Sequence, residues 1–184
     1  KMHKLAKKPY FSFNHFKQKG GESYLNYSIT KLDKGALLVR LKTREKSIEV
    51  LRKTGNYKKA EQLKKEVKDD NKKVIAAFEK NYDFSDVYFF YSSDTEKIKE
   101  GKLNNVFVDT QKLLIDDKIN VDPTKQHYMI LDIGSLKVPA DEGDFANTAL
   151  SRALVVKDKD FEQMYRPFPF YVNAAEKSSI NYQV

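Results

Sequence analysis

The apolar positions of this chain change period several times, and each change marks an element. Ala36-Leu37-Leu38-Val39-Arg40-Leu41 is a nearly continuous apolar run entered through Gly35, which predicts a strand covered on both faces. Asp86-Val87-Tyr88-Phe89-Phe90-Tyr91-Ser92 predicts a second strand. Alternation sets Tyr88 and Phe90 on one of its faces and Phe89 and Tyr91 on the other, so both pairs pack beneath helices. Between the strands the period becomes helical. Arg44 to Thr54 carries Ile48, Val50 and Leu51, and Gly55-Asn56 supplies a stop and a restart. From Tyr57 the stripe Ala60, Leu63, Val67, Val74, Ile75, Phe78 and Tyr82 keeps helical spacing for about seven turns. Asp70 and Asn71 fall where that stripe requires an apolar residue, which predicts a hinge or a solvent-exposed midsection.

Shorter elements follow. Ser93-Asp94-Thr95-Glu96 has the spacing of a capping box, opening a helix that Gly101 ends. Asn105 to Asp109 predicts a strand, with Leu113-Leu114-Ile115 as its extension or its neighbour. His127 to Gly134 and Ser151 to Val156 predict two more strands, separated by the acidic, loop-like stretch Lys137 to Asn147. In Arg166-Pro167-Phe168-Pro169-Phe170-Tyr171-Val172 the alternating prolines forbid a helix and suit only a sheet edge. Ahead of all these, Tyr24 to Ile29 alternates weakly.

The expected fold is α/β: one domain over residues 23–172, with a mixed central sheet flanked by helices and a two-helix insertion at about 44–82. A basic segment rich in aromatics (1–22) precedes it and a polar tail (173–184) follows. The order of strands and helices over residues 35–172 is similar to the thioredoxin-like arrangement, a three-layer fold. That resemblance would place a redox pair just after the first strand, at Lys42 to Glu45, where this chain has no cysteine. Separately, Gly55-Asn56-Tyr57-Lys58-Lys59-Ala60-Glu61 resembles the G-x-Y-x-x-A stretch of a tetratricopeptide-type helix, but no second copy follows at that repeat's spacing.

Composition narrows the function. Of 184 residues, 40% are hydrophobic and 33% charged, as in a soluble globular protein, and no stretch is apolar for long enough to span a membrane. The net charge of +8 is concentrated rather than spread. Residues 1–20 hold six Lys and no acid, and residues 42–80 hold 13 Lys or Arg against 7 Asp or Glu, which leaves the rest slightly acidic. Basic charge on a tail and a solvated helix lacks the interleaved exposed aromatics of a nucleic-acid face, so nucleic acid is not expected as a partner. The chain has no cysteine, which removes disulfides, thiolate metal sites and cysteine nucleophiles. With Lys1 first and no apolar signal-peptide core, the expectation is an exported protein, periplasmic or extracellular, whose targeting segment has been removed.

Catalytic signatures are sparse. His3, His15 and His127 have no metal-binding spacing, and His127, just ahead of a buried strand, reads as a structural hydrogen-bonder. Phosphate loops, dinucleotide fingerprints and G-x-S-x-G elbows are missing, so no cofactor is expected. Aspartates at strand exits (Asp94, Asp109, Asp132, Asp158) are the best chemical candidates. Parallel strands could gather Asp94, Asp109 and Asp132 around Mg²⁺ for phosphoester hydrolysis, although Asp at a strand exit is also a common turn former. Two classes result. The first is a non-enzymatic module binding a protein or small ligand through its helical arm, through the edge at Arg166, Phe168, Phe170 and Tyr171, or through the acidic loop at Asp141 and Glu142. The alternative is a metal-dependent hydrolase using Asp94, Asp109 and Asp132.

Overall fold

A computed structural model describes residues 27–28, 30–122, 126–134, 153–164 and, by backbone alone, 171–173. Its centre is a five-stranded mixed sheet in the order β2-β1-β5-β6-β7. The strands are β1 (Ala36–Leu41), β2 (Asp86–Tyr91), β5 (Tyr128–Gly134), β6 (Ala153–Lys157) and β7 (Tyr171–Asn173). Both β2 and β5 run parallel to β1, with Leu38 level with Tyr88 on one side and Ile130 on the other. β6 is antiparallel to β5, and β7 is antiparallel to β6. A small antiparallel pair, β3 (Val108–Asp109) and β4 (Leu114–Ile115), joins β2 through a bridge between Phe90 and Phe107.

Alternation along the strands builds two cores, giving three layers. Leu37, Val39, Leu41, Phe89, Met129, Leu131 and Ile133 face one way and pack with Val74, Ile75, Ala77 and Phe78. Ala36, Leu38, Phe90, Tyr128 and Ile130 face the other way, beneath Ile98, Leu103, Val106, Phe107 and Val121. Rings link the layers across β2: Phe78 meets Phe89 edge-on at 6.2 Å, and Tyr88 lies 5.3 Å from Phe107. The expected core role of the aromatic run holds on both faces.

The helices are α1 (Glu45–Lys53), α2 (Tyr57–Asn81) and α3 (Thr95–Lys99). The break at Gly55 is a Schellman motif. Gly55, at φ 75°, donates its N–H to the Arg52 carbonyl at 3.0 Å, and the Asn56 N–H reaches the Leu51 carbonyl at 2.8 Å. Gly101, at φ 70°, ends α3 in the same way. No described helix is long and apolar enough to cross a membrane.

Three expectations need correction. There is no hinge at Asp70 and Asn71, because α2 runs unbroken through both; Asp70 is exposed as expected, but the Asn71 side chain is buried. The Asn71 amide donates to the Lys42 carbonyl at 2.8 Å and accepts the Lys42 N–H at 3.2 Å, replacing the missing apolar contact with a clamp on the end of β1. The capping box at Ser93 does not form. A 3-10 turn (Ser92–Asp94) leads into α3 instead, and its cap makes no side-chain hydrogen bond to the helix. Finally, Tyr27 and Ser28 are helical rather than extended, as are residues 30–32.

Candidate functional site

The strand-exit aspartates have separate surroundings. Asp94 pairs with Lys97 in the next turn at 2.6 Å. Asp109 accepts the backbone N–H groups of Gln111 and Lys112, each at 2.8 Å, and these hold its carboxyl below the usual range. Asp158 accepts the N–H groups of Asp160 and Glu162 at 3.0 and 2.9 Å, in the turn after β6. All three aspartates are engaged in their own turns. Among the described residues no group of three or more His, Asp or Glu is placed to hold a metal ion, so Asp94, Asp109 and Asp132 are not brought together as one ligand set.

Asp132 differs from the others. It lies within β5, with its side chain 9% exposed, and takes part in a cluster built from three strands. Arg40 of β1 donates from Nη1 to both carboxylate oxygens, at 3.3 Å to Oδ1 and 3.2 Å to Oδ2. Lys157, the last residue of β6, donates to Oδ2 at 2.7 Å. Arg40 Nε also donates to Thr95 Oγ1 at 3.0 Å, and that hydroxyl donates to the Ser92 carbonyl at 2.7 Å. The sheet register explains the meeting. Val39 is level with Leu131, which sets Arg40 beside Asp132, while Ile130 and Asp132 on one face of β5 lie opposite Lys157 and Val155. Arg40 and Asp132 lie in the carboxyl-terminal halves of parallel strands β1 and β5, and Lys157, level with Ile130 at the middle of β5, reaches toward them along the same face; β1 is the strand from which the order turns to β2 on one side and β5 on the other. Beside the cluster, Thr43 and Ser92 share a hydroxyl hydrogen bond of 3.0 Å, and the Thr43 N–H donates to Ser92 Oγ at 3.1 Å.

Sequence reasoning treated Asp132 as a metal candidate and passed over Arg40 and Lys157. A signal was present: each is a charged residue in or at the end of an otherwise apolar strand run, and such residues need partners when the sheet is covered on both faces.

The second feature is the helical hairpin. α1 has no buried residue, and before Asn71 only Ala60 of α2 is buried. The two helices meet each other, with Arg52 donating to Glu61 at 2.6 Å across the turn. Residues 57–70 thus carry about 20 Å of helix beyond the part packed on the sheet, at about 1.5 Å per residue. Close to the turn, Val50 is 59% exposed and Tyr57 67%. Among the described residues Tyr27, Phe84 and, on β4, Leu114 and Ile115 are exposed as well.

His127 lies at the opposite end of the sheet. Its carbonyl accepts the Ala36 N–H at 2.9 Å, and its ring meets Tyr27 edge-on at 6.3 Å. Nε2 is buried and has no hydrogen-bond partner among the described residues, so the structural hydrogen bond expected of this side chain is not made at that atom. Burial, and then the Lys31 charge, lower its pKa from the usual 6.5.

Arg166, Phe168, Phe170, Asp141 and Glu142 lie outside the described residues, and Tyr171 is described by its backbone alone, in edge strand β7. No family model matches this chain, and no curated protein or solved structure matches it either.

Proposed function

We propose that this protein is a non-catalytic interaction module whose α1–α2 hairpin is the surface that meets a protein partner. The observation carrying the reading is the contrast within α2. Asn71, Val74, Ile75, Ala77 and Phe78 are buried, whereas in the preceding part only Ala60 is buried and Leu63 and Val67 are half-buried. Helical stability in water comes mostly from packing an apolar face, so a hairpin this exposed adds little to the fold and is available for another purpose. Its composition favours a protein over nucleic acid. Residues 45–70 hold eight Lys or Arg against six Asp or Glu, a mixed-sign surface with an exposed tyrosine near the turn. Tyrosine is enriched at protein interfaces, and nucleic-acid faces carry one sign of charge. The thioredoxin-like resemblance contributes no function here, because Lys42 to Glu45 contain no thiol.

The test places a photo-crosslinking residue at position 57 and, separately, at exposed position 114 of the full chain in its native cell. The reading predicts a discrete crosslinked species at 57 that Val50→Asp abolishes without shifting the melting temperature. A species at 114 and none at 57 would refute it.

A further inference from the structure

The geometry points to an oxyanion site of the phosphate type on one face of the central sheet, formed by Arg40 of β1 and Lys157 of β6 around Asp132 of β5. The argument begins with charge. One carboxylate faces two basic side chains, so the cluster has a surplus of positive groups in a place where Asp132 is nearly buried and the Arg40 and Lys157 side chains are 28% and 20% exposed. Partly buried charges are screened less by solvent than exposed ones, so a surplus here attracts an anion more strongly than a surface lysine does.

Donor capacity gives the second line of argument. A guanidinium has five N–H donors and an ammonium three. Asp132 occupies Arg40 Nη1, Thr95 occupies Nε, and Nη2 makes no hydrogen bond among the described residues. Lys157 directs one donor to Asp132. Both cations bond the same oxygen, Oδ2, at 3.2 and 2.7 Å, so Nη1 and Nζ lie within about 6 Å of each other. Unused charged donors on both sides of that span suit a group whose oxygens point in several directions. A phosphate takes an arginine fork and a lysine point charge together. Asp132 then holds the two cations in place, and the anion supplies the charge it cannot.

The probe is inorganic phosphate, titrated into the ¹⁵N-labelled full chain against sodium chloride of equal ionic strength and against acetate. The site predicts saturable shifts centred on the amides of Arg40, Thr95, Asp132 and Lys157, with half-saturation in the millimolar range. Lys157→Gln should weaken phosphate binding at least tenfold. Asp132→Asn keeps both cations and raises the net charge, so where it remains folded it should bind phosphate several-fold more tightly. The wild-type titration needs no variant to fold. Shifts that follow ionic strength alone, equal responses to acetate and phosphate, or phosphate shifts unchanged by Lys157→Gln would each overturn the assignment.

Discussion

Replacing Asp132 by Asn removes one charge and leaves two cations facing each other across a nearly buried amide. Breaking a buried pair by deleting one partner costs about 3–5 kcal/mol, because the remaining charge is uncompensated. Here the cations keep part of their hydration, with side chains 28% and 20% exposed, so the lower part of that range applies. The carboxylate accepts three charge-assisted hydrogen bonds, and the amide oxygen of Asn keeps an acceptor for part of them, so the net loss of one, about 1.5–3 kcal/mol, leads independently to a similar figure. We expect a loss of about 2–4 kcal/mol, read as a lower urea midpoint with an unchanged slope. Lys157→Met in the Asp132→Asn background removes the second cation, and the double-mutant cycle should show coupling of about 1 kcal/mol or more. An Asp132→Asn variant within about 0.5 kcal/mol of wild type, the usual spread for surface changes, would show that the cluster is a solvated contact and refute the reasoning.

Other outcomes follow from the same structure. Phe78→Ala opens a cavity in the core beneath α2 and should cost about 3–5 kcal/mol, whereas Val50→Ser, on the exposed hairpin, should stay within about 0.5 kcal/mol in the same denaturation assay. A Cβ at Gly35 would sit 2.3 Å from the His127 carbonyl oxygen and 2.9 Å from that of Lys31. Both are backbone atoms that no rotamer change can move, so Gly35→Ala should lower thermal stability by about 2–3 kcal/mol. Folding lowers the pKa of His127, so below its usual 6.5 the unfolded chain takes up the proton more readily than the native one. Its contribution to stability is therefore constant above that pH and declines as the solution is acidified. His127→Leu should flatten the fall in melting temperature between pH 7 and pH 5, and an unchanged profile would exclude this histidine as its source.

Much of the fold was legible because it rests on local pattern. The apolar runs at Ala36–Leu41 and Tyr128–Gly134 are strands buried on both faces, and alternation in Tyr88 to Tyr91 sorts each ring to its layer. Gly55 marked the helix break because a left-handed position at C′ favours glycine. What was not legible depends on partners distant in sequence. Asn71 interrupts an apolar stripe and reads as exposed until the end of β1 is seen to occupy its amide, 29 residues away. Thr95 and Asp94 carry capping residue types, but their side chains bond the Ser92 carbonyl and Lys97. The Arg40–Asp132–Lys157 cluster requires the register of three strands, which no local period encodes.

The central claim is that the α1–α2 hairpin is separable from the packed body and free to serve as a surface. Native-state hydrogen exchange tests it most directly, because it reports the opening free energy amide by amide. The account predicts that amides of 46–70 exchange through local opening, with protection well below that of β1, β5 and residues 74–78 of α2. The boundary should fall near the Asn71 clamp. Protection across 46–70 equal to that of β1 would make the hairpin part of the cooperative core and contradict the account.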